Sequence, residues 1–173
     1  MNMLTCHRLA LVLGCCWSVS ASAGLLSDDE NKAPPKEESA LVLPAPPKSE
    51  NLLRYAVGAV AGASMIFTID AKSVSVGDDE IVRYSSVITS QSGAMNISYE
   101  GIRCKTSERK LFATGRQDGS WNTLSAAEWR RISSVGANSY QATLSKDFFC
   151  DGDTVAGKAT TIVDRIRGKK LPR

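Results

Sequence analysis

Apolar and polar positions alternate most regularly in RYSSVITSQSGAMNISYEGIRC, residues 83 to 104. Before Gly93 the even positions carry Tyr84, Ser86 and Ile88, whereas after it the odd positions carry Met95, Ile97 and Tyr99. Period-two alternation predicts two strands, Ile81 to about Thr89 and Ala94 to Lys105. The loop Ser90 to Gly93 joins them, its glycine supplying a positive φ. A four-residue loop pairs Thr89 with Ala94 and Tyr84 with Tyr99, so the change of parity keeps one apolar face. A two-residue loop keeps the same faces and leaves the register open. The opposite face then sets Arg83 against Glu100, a cross-strand pair of a few tenths of a kcal/mol if exposed or, alternatively, a ligand contact. That face turns apolar near Ile81, Ile102 and Cys104, so the segment bearing Cys150 is expected to cover it.

Elsewhere the pattern predicts strands at Leu53–Val57, Met65–Asp70, Ser73–Val76 and Lys110–Gly115, with a brief extension at Ser120–Trp121. Gly77-Asp78-Asp79 and Arg116–Gly119 are turn signals. Gly58 to Ser64 reads as a small-residue loop, because the apolar window around it is too short to span a bilayer. Ser125-Ala-Ala-Glu128 has the spacing of a capping box and predicts a helix to about Ser133. Tyr140, Leu144 and Phe148 recur at helical spacing and predict a second helix reaching Cys150. A third, from about Val155 to Arg167, would bury Ile162, Val163 and Ile166. Strands followed by helices define an α+β domain: an antiparallel sheet of about five or six strands with two or three C-terminal helices packed on it.

Two flanking regions break the pattern. In residues 1–23, His7 and Arg8 precede an apolar run and Ala21-Ser22-Ala23 closes it, as in a cleaved export signal. Val12-Leu13-Gly14-Cys15 offers the alternative of lipidation at Cys15. Residues 24–50 hold five of the six prolines and several acids, and read as a flexible leader that tethers a domain at 51–168. Leu41-Val42-Leu43-Pro44 is the one patch in it expected to dock.

Cleavage changes the available chemistry. It removes three of the five cysteines and the single histidine. Cys104 and Cys150 remain, and in an exported chain one disulfide between them is the economical outcome, two free buried thiols being the alternative. Without histidine, Ser-His and Cys-His nucleophile systems and histidine-rich zinc sites are excluded. No cofactor motif is present, and the near-neutral charge, +3 over the whole chain, does not suggest nucleic acid. Ser107-x-x-Lys110 matches an acylated-serine spacing without its companion motifs, and Asp78-Asp79 and Asp151-x-Asp153 read as turn chemistry. Residues 169–173 form a basic tail. With Arg165 and Arg167, its Lys169 and Lys170 could meet anionic lipid headgroups or simply complement a helix end. Tyr84, Tyr99, Trp121 and Trp129 read as core, or alternatively as a ligand-binding face.

The combination VGDDEIVRYSSVITSQSGAMNISYEGIRC, GSWNTLSAAEW and LSKDFFC resembles the cryptic-neisserial-protein-like family of small exported proteobacterial proteins. The resemblance implies export and two cysteines at these places, and it carries no established activity. The expectation is therefore a periplasmic, non-catalytic binding or accessory protein, with Arg83, Tyr84, Tyr99, Glu100 and Trp121 as candidate ligand contacts and an unknown envelope partner. The alternatives are a hydrolase using Glu100 with Asp78 or Asp79, and a lipid-anchored component of the outer membrane.

Overall fold

The computed structural model describes residues 34–58, 65–136 and 139–168. The expected export signal, Cys15, Lys169 and Lys170 lie outside them. The described chain is α+β. Its sheet is antiparallel, with the path β1 (Leu52–Arg54), β2 (Ile66–Asp70), β4 (Ile81–Thr89), β5 (Met95–Arg103), β6 (Glu108–Gly115) and β7 (Trp121–Thr123). The two-residue strands β3 (Ser75–Val76) and β8 (Arg130–Arg131) add to β4 and β6, which makes eight strands rather than five or six. Helix α1 (Ser139–Thr143) runs into a π-helical segment, Leu144–Phe149. The hairpin β9 (Cys150–Asp151) and β10 (Thr154–Val155) follows, and α2 (Ala159–Ile166) closes the fold.

The central hairpin forms, one residue away from the expected register. Thr89 pairs with Met95, Tyr84 with Glu100, and Arg83 with Gly101. The Ser90 amide donates to the Ala94 carbonyl and the Gly93 amide to the Ser90 carbonyl, with Gly93 at φ 83°. Three residues thus lie between the last bonded pair, and an odd loop sets even positions opposite even ones. Such a slip normally exposes the apolar set. Here both faces of the sheet are covered, so neither parity is sent to solvent.

One face carries Phe67, Ile69, Val82, Tyr84 and Ile102, packed against Tyr140, Leu144, Phe149, Ile162, Val163 and Ile166 from the helical half. Phe148 packs half-buried against Tyr55, edge-on at 6.2 Å, and the extra residue of the π-helical turn brings Phe149 inward as well, fully buried. Phe149 meets the Tyr84 ring edge-on at 5.0 Å between centroids. Cys104 and Cys150 form a disulfide with Cα atoms 5.7 Å apart, joining the end of the sheet to the helical half. For a sequence separation of 46, the chain-entropy estimate is about 4 kcal/mol of stabilisation.

The second face carries Ile81, Arg83, Tyr99, Phe112 and Ala113, with Trp121 and Trp129 beside them. Phe112 is the extra residue of a β-bulge, since Tyr99 pairs with Ala113 but Glu100 with Leu111. Gly101 makes room for it: a Cβ there would lie 2.7 Å from the Phe112 ring. The segment expected to be a flexible leader covers this face. From Pro34 onward it belongs to the same compact unit as the sheet. Trp121 Nε1 donates to the Pro44 carbonyl at 2.8 Å and Trp129 Nε1 to Glu38 Oε2 at 2.9 Å, while Lys110 Nζ reaches both Glu38 oxygens. Leu43 packs with Tyr99 and Phe112, as expected of its patch, whereas Val42 is exposed.

The helix expected over Ser125–Ser133 does not form. Residues 125–129 are turn and loop, and Arg130–Arg131 pair with β6. Trp129 is drawn instead onto Phe112, edge-on at 6.2 Å, with Arg103 over its indole at 4.1 Å. Those aromatic and cationic contacts outweigh a local capping signal worth about 1 kcal/mol.

Candidate functional site

Glu100 is an enclosed acid, 2% exposed on the helix-covered face. Strand β5 carries it inward opposite Tyr84, and α1 brings Tyr140 and Gln141 down from above. Oε1 accepts from Ser98 Oγ at 2.5 Å and Tyr140 Oη at 2.6 Å. Oε2 accepts from Tyr84 Oη at 2.8 Å and Gln141 Nε2 at 2.7 Å. Four donors fill the roughly four lone-pair sites of a carboxylate, and charge-assisted bonds of this kind are the strong ones. Burial, and then the Glu100 charge, push the hydroxyls of Tyr55, Tyr84 and Tyr140 far above the ordinary tyrosine range. Tyr84 and Tyr140 act here as fixed donors, whereas the Tyr55 hydroxyl is buried with no hydrogen-bond partner among the described residues.

This cluster floors a cleft of about 550 Å³ on the helix side of the sheet. Its walls are Met65, Phe67, Ile88, Met95 and Leu111, with Asn96, Thr114 and Arg109 supplying polar atoms. Met65 and Met95 are exposed to solvent. Gln141 Oε1 is buried with no hydrogen-bond partner among the described residues. A second cavity of about 480 Å³ adjoins through Arg109 and Leu111, and is completed by Thr123 to Glu128 and Arg130.

The other predicted residues fall elsewhere. Arg83 does not face Glu100 but binds Asp79 on the opposite face, Nη1 to Oδ1 at 3.1 Å and Nη2 to Oδ2 at 2.6 Å. Asp79 also accepts the amides of Ser39 and Ile81. Gly77 leaves the space, since a Cβ there would lie 2.5 Å from Asp79 Oδ1. Tyr99 is buried on that face and Trp121 half-buried under the leader. Glu100 and Asp79 lie on opposite faces, each held by its own donors, and Asp78 is exposed in the turn after β3, so neither acid is brought to Glu100 as the hydrolase alternative requires. A cavity of about 400 Å³ near the disulfide includes Asp79, already bound by Arg83, and Lys36, which pairs with Glu80 at 3.0 Å. Ser107 sits in a turn at φ 52°, and Lys110 is engaged by Glu38. Arg165 forms a two-point ion pair with Asp151, and Arg167 meets Asp164 at 3.7 Å.

Sequence reasoning found Glu100 and Tyr84 but missed Ser98, Arg109 and Gln141, and used Tyr140 only as a marker of helical spacing. A glutamate within a strand pattern was the available signal; Tyr140 and Gln141 lie 40 and 41 residues further on, beyond β6, β7 and β8, and carry no local one.

Fold and site together define an α+β domain with a buried disulfide, a saturated acid at its centre and an open cleft beside it. The CNP1-like family model matches residues 31–167, and the chain belongs to that family. The match includes the leader segment that covers the second face. No curated protein and no solved structure matches the chain.

Proposed function

We propose that the protein is a non-catalytic binding module of the cell envelope, holding its ligand in the cleft above Glu100. One observation carries this reading: the acid at the floor has no free lone pair, while the apolar walls beside it stand open. A general acid or base must reach a substrate proton, and Glu100 is occupied on every side. The cleft has the size typical of ligand sites, roughly 300–1,000 Å³, and combines apolar walls with a few polar atoms. The periplasm as its compartment is supported by the disulfide and by the apolar run ending in Ala21-Ser22-Ala23.

The test is mass spectrometry of protein purified from the envelope fraction, native and then denatured, beside an Ala94→Trp variant. Ala94 is an exposed rim residue, so an indole there plugs the mouth without disturbing the core. A co-purifying small molecule present in the wild type and absent from the variant is expected. Equal retention by both would overturn the assignment to this cleft. The same spectra give the N-terminus, where an acylated Cys15 would replace a soluble periplasmic form by an anchored one.

A further inference from the structure

Resting on that binding reading, we infer that the ligand is a single-chain anionic amphiphile whose head group is held between Arg109 and Arg130. These two arginines are directly opposite each other across β6 and β8. Like charges facing across an antiparallel pair oppose sheet formation, so the arrangement calls for a counter-charge. The protein supplies none: among the described residues neither guanidinium has a hydrogen bond or an ion pair. Elsewhere Arg83, Arg103, Arg165 and Arg167 each have a carboxylate within 4.0 Å. Glu128, which shares the cavity with the arginine pair, makes no ion pair with either.

The position of the pair gives the rest of the ligand. Arg109 lines both cavities, and so does Leu111, so the charged and apolar regions share a wall. From Leu111 the apolar wall runs over Ile88 and Phe67 to Met65 and Met95, both exposed to solvent. Methionine is flexible and polarisable, which suits a surface that adapts to a mobile chain. The cleft is narrow in polar function: the Glu100 oxygens are filled, which disfavours a cationic head that would seek them. An arginine fork is instead matched to the oxygens of a carboxylate or phosphate head group.

The experiment is calorimetric titration of the full-length mature protein with dodecanoate below its micellar concentration, beside dodecylamine, dodecyl maltoside and inorganic phosphate. Dodecanoate is expected to bind the wild type and to lose roughly tenfold or more in affinity in Arg109→Gln and in Arg130→Gln. Both variants should keep the wild-type circular dichroism spectrum, since neither side chain has a partner to lose. Dodecanoate binding that survives both arginine variants but is abolished by Ala94→Trp overturns the head-group assignment and leaves the cleft standing. Binding indifferent to Ala94→Trp overturns both. Tighter binding of dodecylamine, no binding of dodecanoate, or binding of phosphate without dodecanoate overturns the amphiphile.

Discussion

Arg83 grips Asp79 through two guanidinium nitrogens, and both side chains are almost wholly out of water, 7% and 1% exposed. This pair pins the turn after β3 to the first part of β4, under the leader segment, and Ser39 completes the carboxylate's shell. Removing one partner of a buried pair costs more than the pair is worth, because an uncompensated charge stays behind.

Arg83→Met should therefore destabilise by about 3–5 kcal/mol, measured by urea unfolding, whereas Asp79→Asn with Arg83→Met should recover much of the loss. Acid unfolding gives an independent readout. Burial disfavours the Asp79 carboxylate, but Arg83 and the amides of Ser39 and Ile81 outweigh it and hold its pKa below the ordinary 3.8. A carboxyl depressed in the folded state contributes its full stability above the unfolded value. That contribution is lost as pH falls through the folded one. The wild type should lose stability progressively below about pH 4, and the double variant should do so less steeply. Parallel acid limbs would show that the pair carries no such linkage.

Tyr55, Tyr84, Tyr99 and Tyr140 are the chain's four tyrosines, and all are buried with their hydroxyls held protonated. Burial is the first cause at each; the Glu100 charge adds to it at Tyr55, Tyr84 and Tyr140, while Arg83 works against it at Tyr99. A tyrosine whose folded pKa is raised contributes stability that is full below the unfolded value, about 10, and is lost as pH rises through the folded value. Phenolate absorbance should thus stay low past pH 10 and then rise together with loss of the circular dichroism signal. Phenolate forming near pH 10 in protein that keeps its native spectrum would contradict the buried cluster around Glu100.

The strands were readable because alternation is a local property of each one, and most fell within a residue or two of their place. Register was not, because two covered faces remove the penalty that normally selects it. With Tyr84 buried on one side and Tyr99 on the other, apolar residues occur at both parities and no longer report which pairs are opposite. The Arg83–Glu100 pairing failed with the register, and with it the nature of both residues: each proved buried, with partners distant in sequence or across a turn. The π-helical shift to Phe149 and the loss of the helix after Ser125 have one physical origin, tertiary contacts of large aromatic rings overriding local spacing. The leader was misread because prolines and acids predict a solvated coil unless a sheet face waits to receive them. Its Glu38 and Pro44 satisfy Trp129, Lys110 and Trp121, partners more than seventy residues away.

That last arrangement makes the leader part of the fold, and Ser39 is where it can be tested cleanly. Its amide donates to Asp79 Oδ2 at 2.8 Å, while its hydroxyl makes no hydrogen bond among the described residues. Ser39→Pro deletes the donor and leaves a buried carboxylate short of one partner, a cost of about 1–3 kcal/mol. Ser39→Ala keeps the amide and should be neutral. Hydrogen exchange should then accelerate across residues 36–46 in the proline variant, and the Trp121 and Trp129 indole N–H groups should lose protection with it. The β4–β5 amides should hold. If proline and alanine behave alike, the leader is a passenger on the sheet and its hydrogen bonds to the second face do not hold it there.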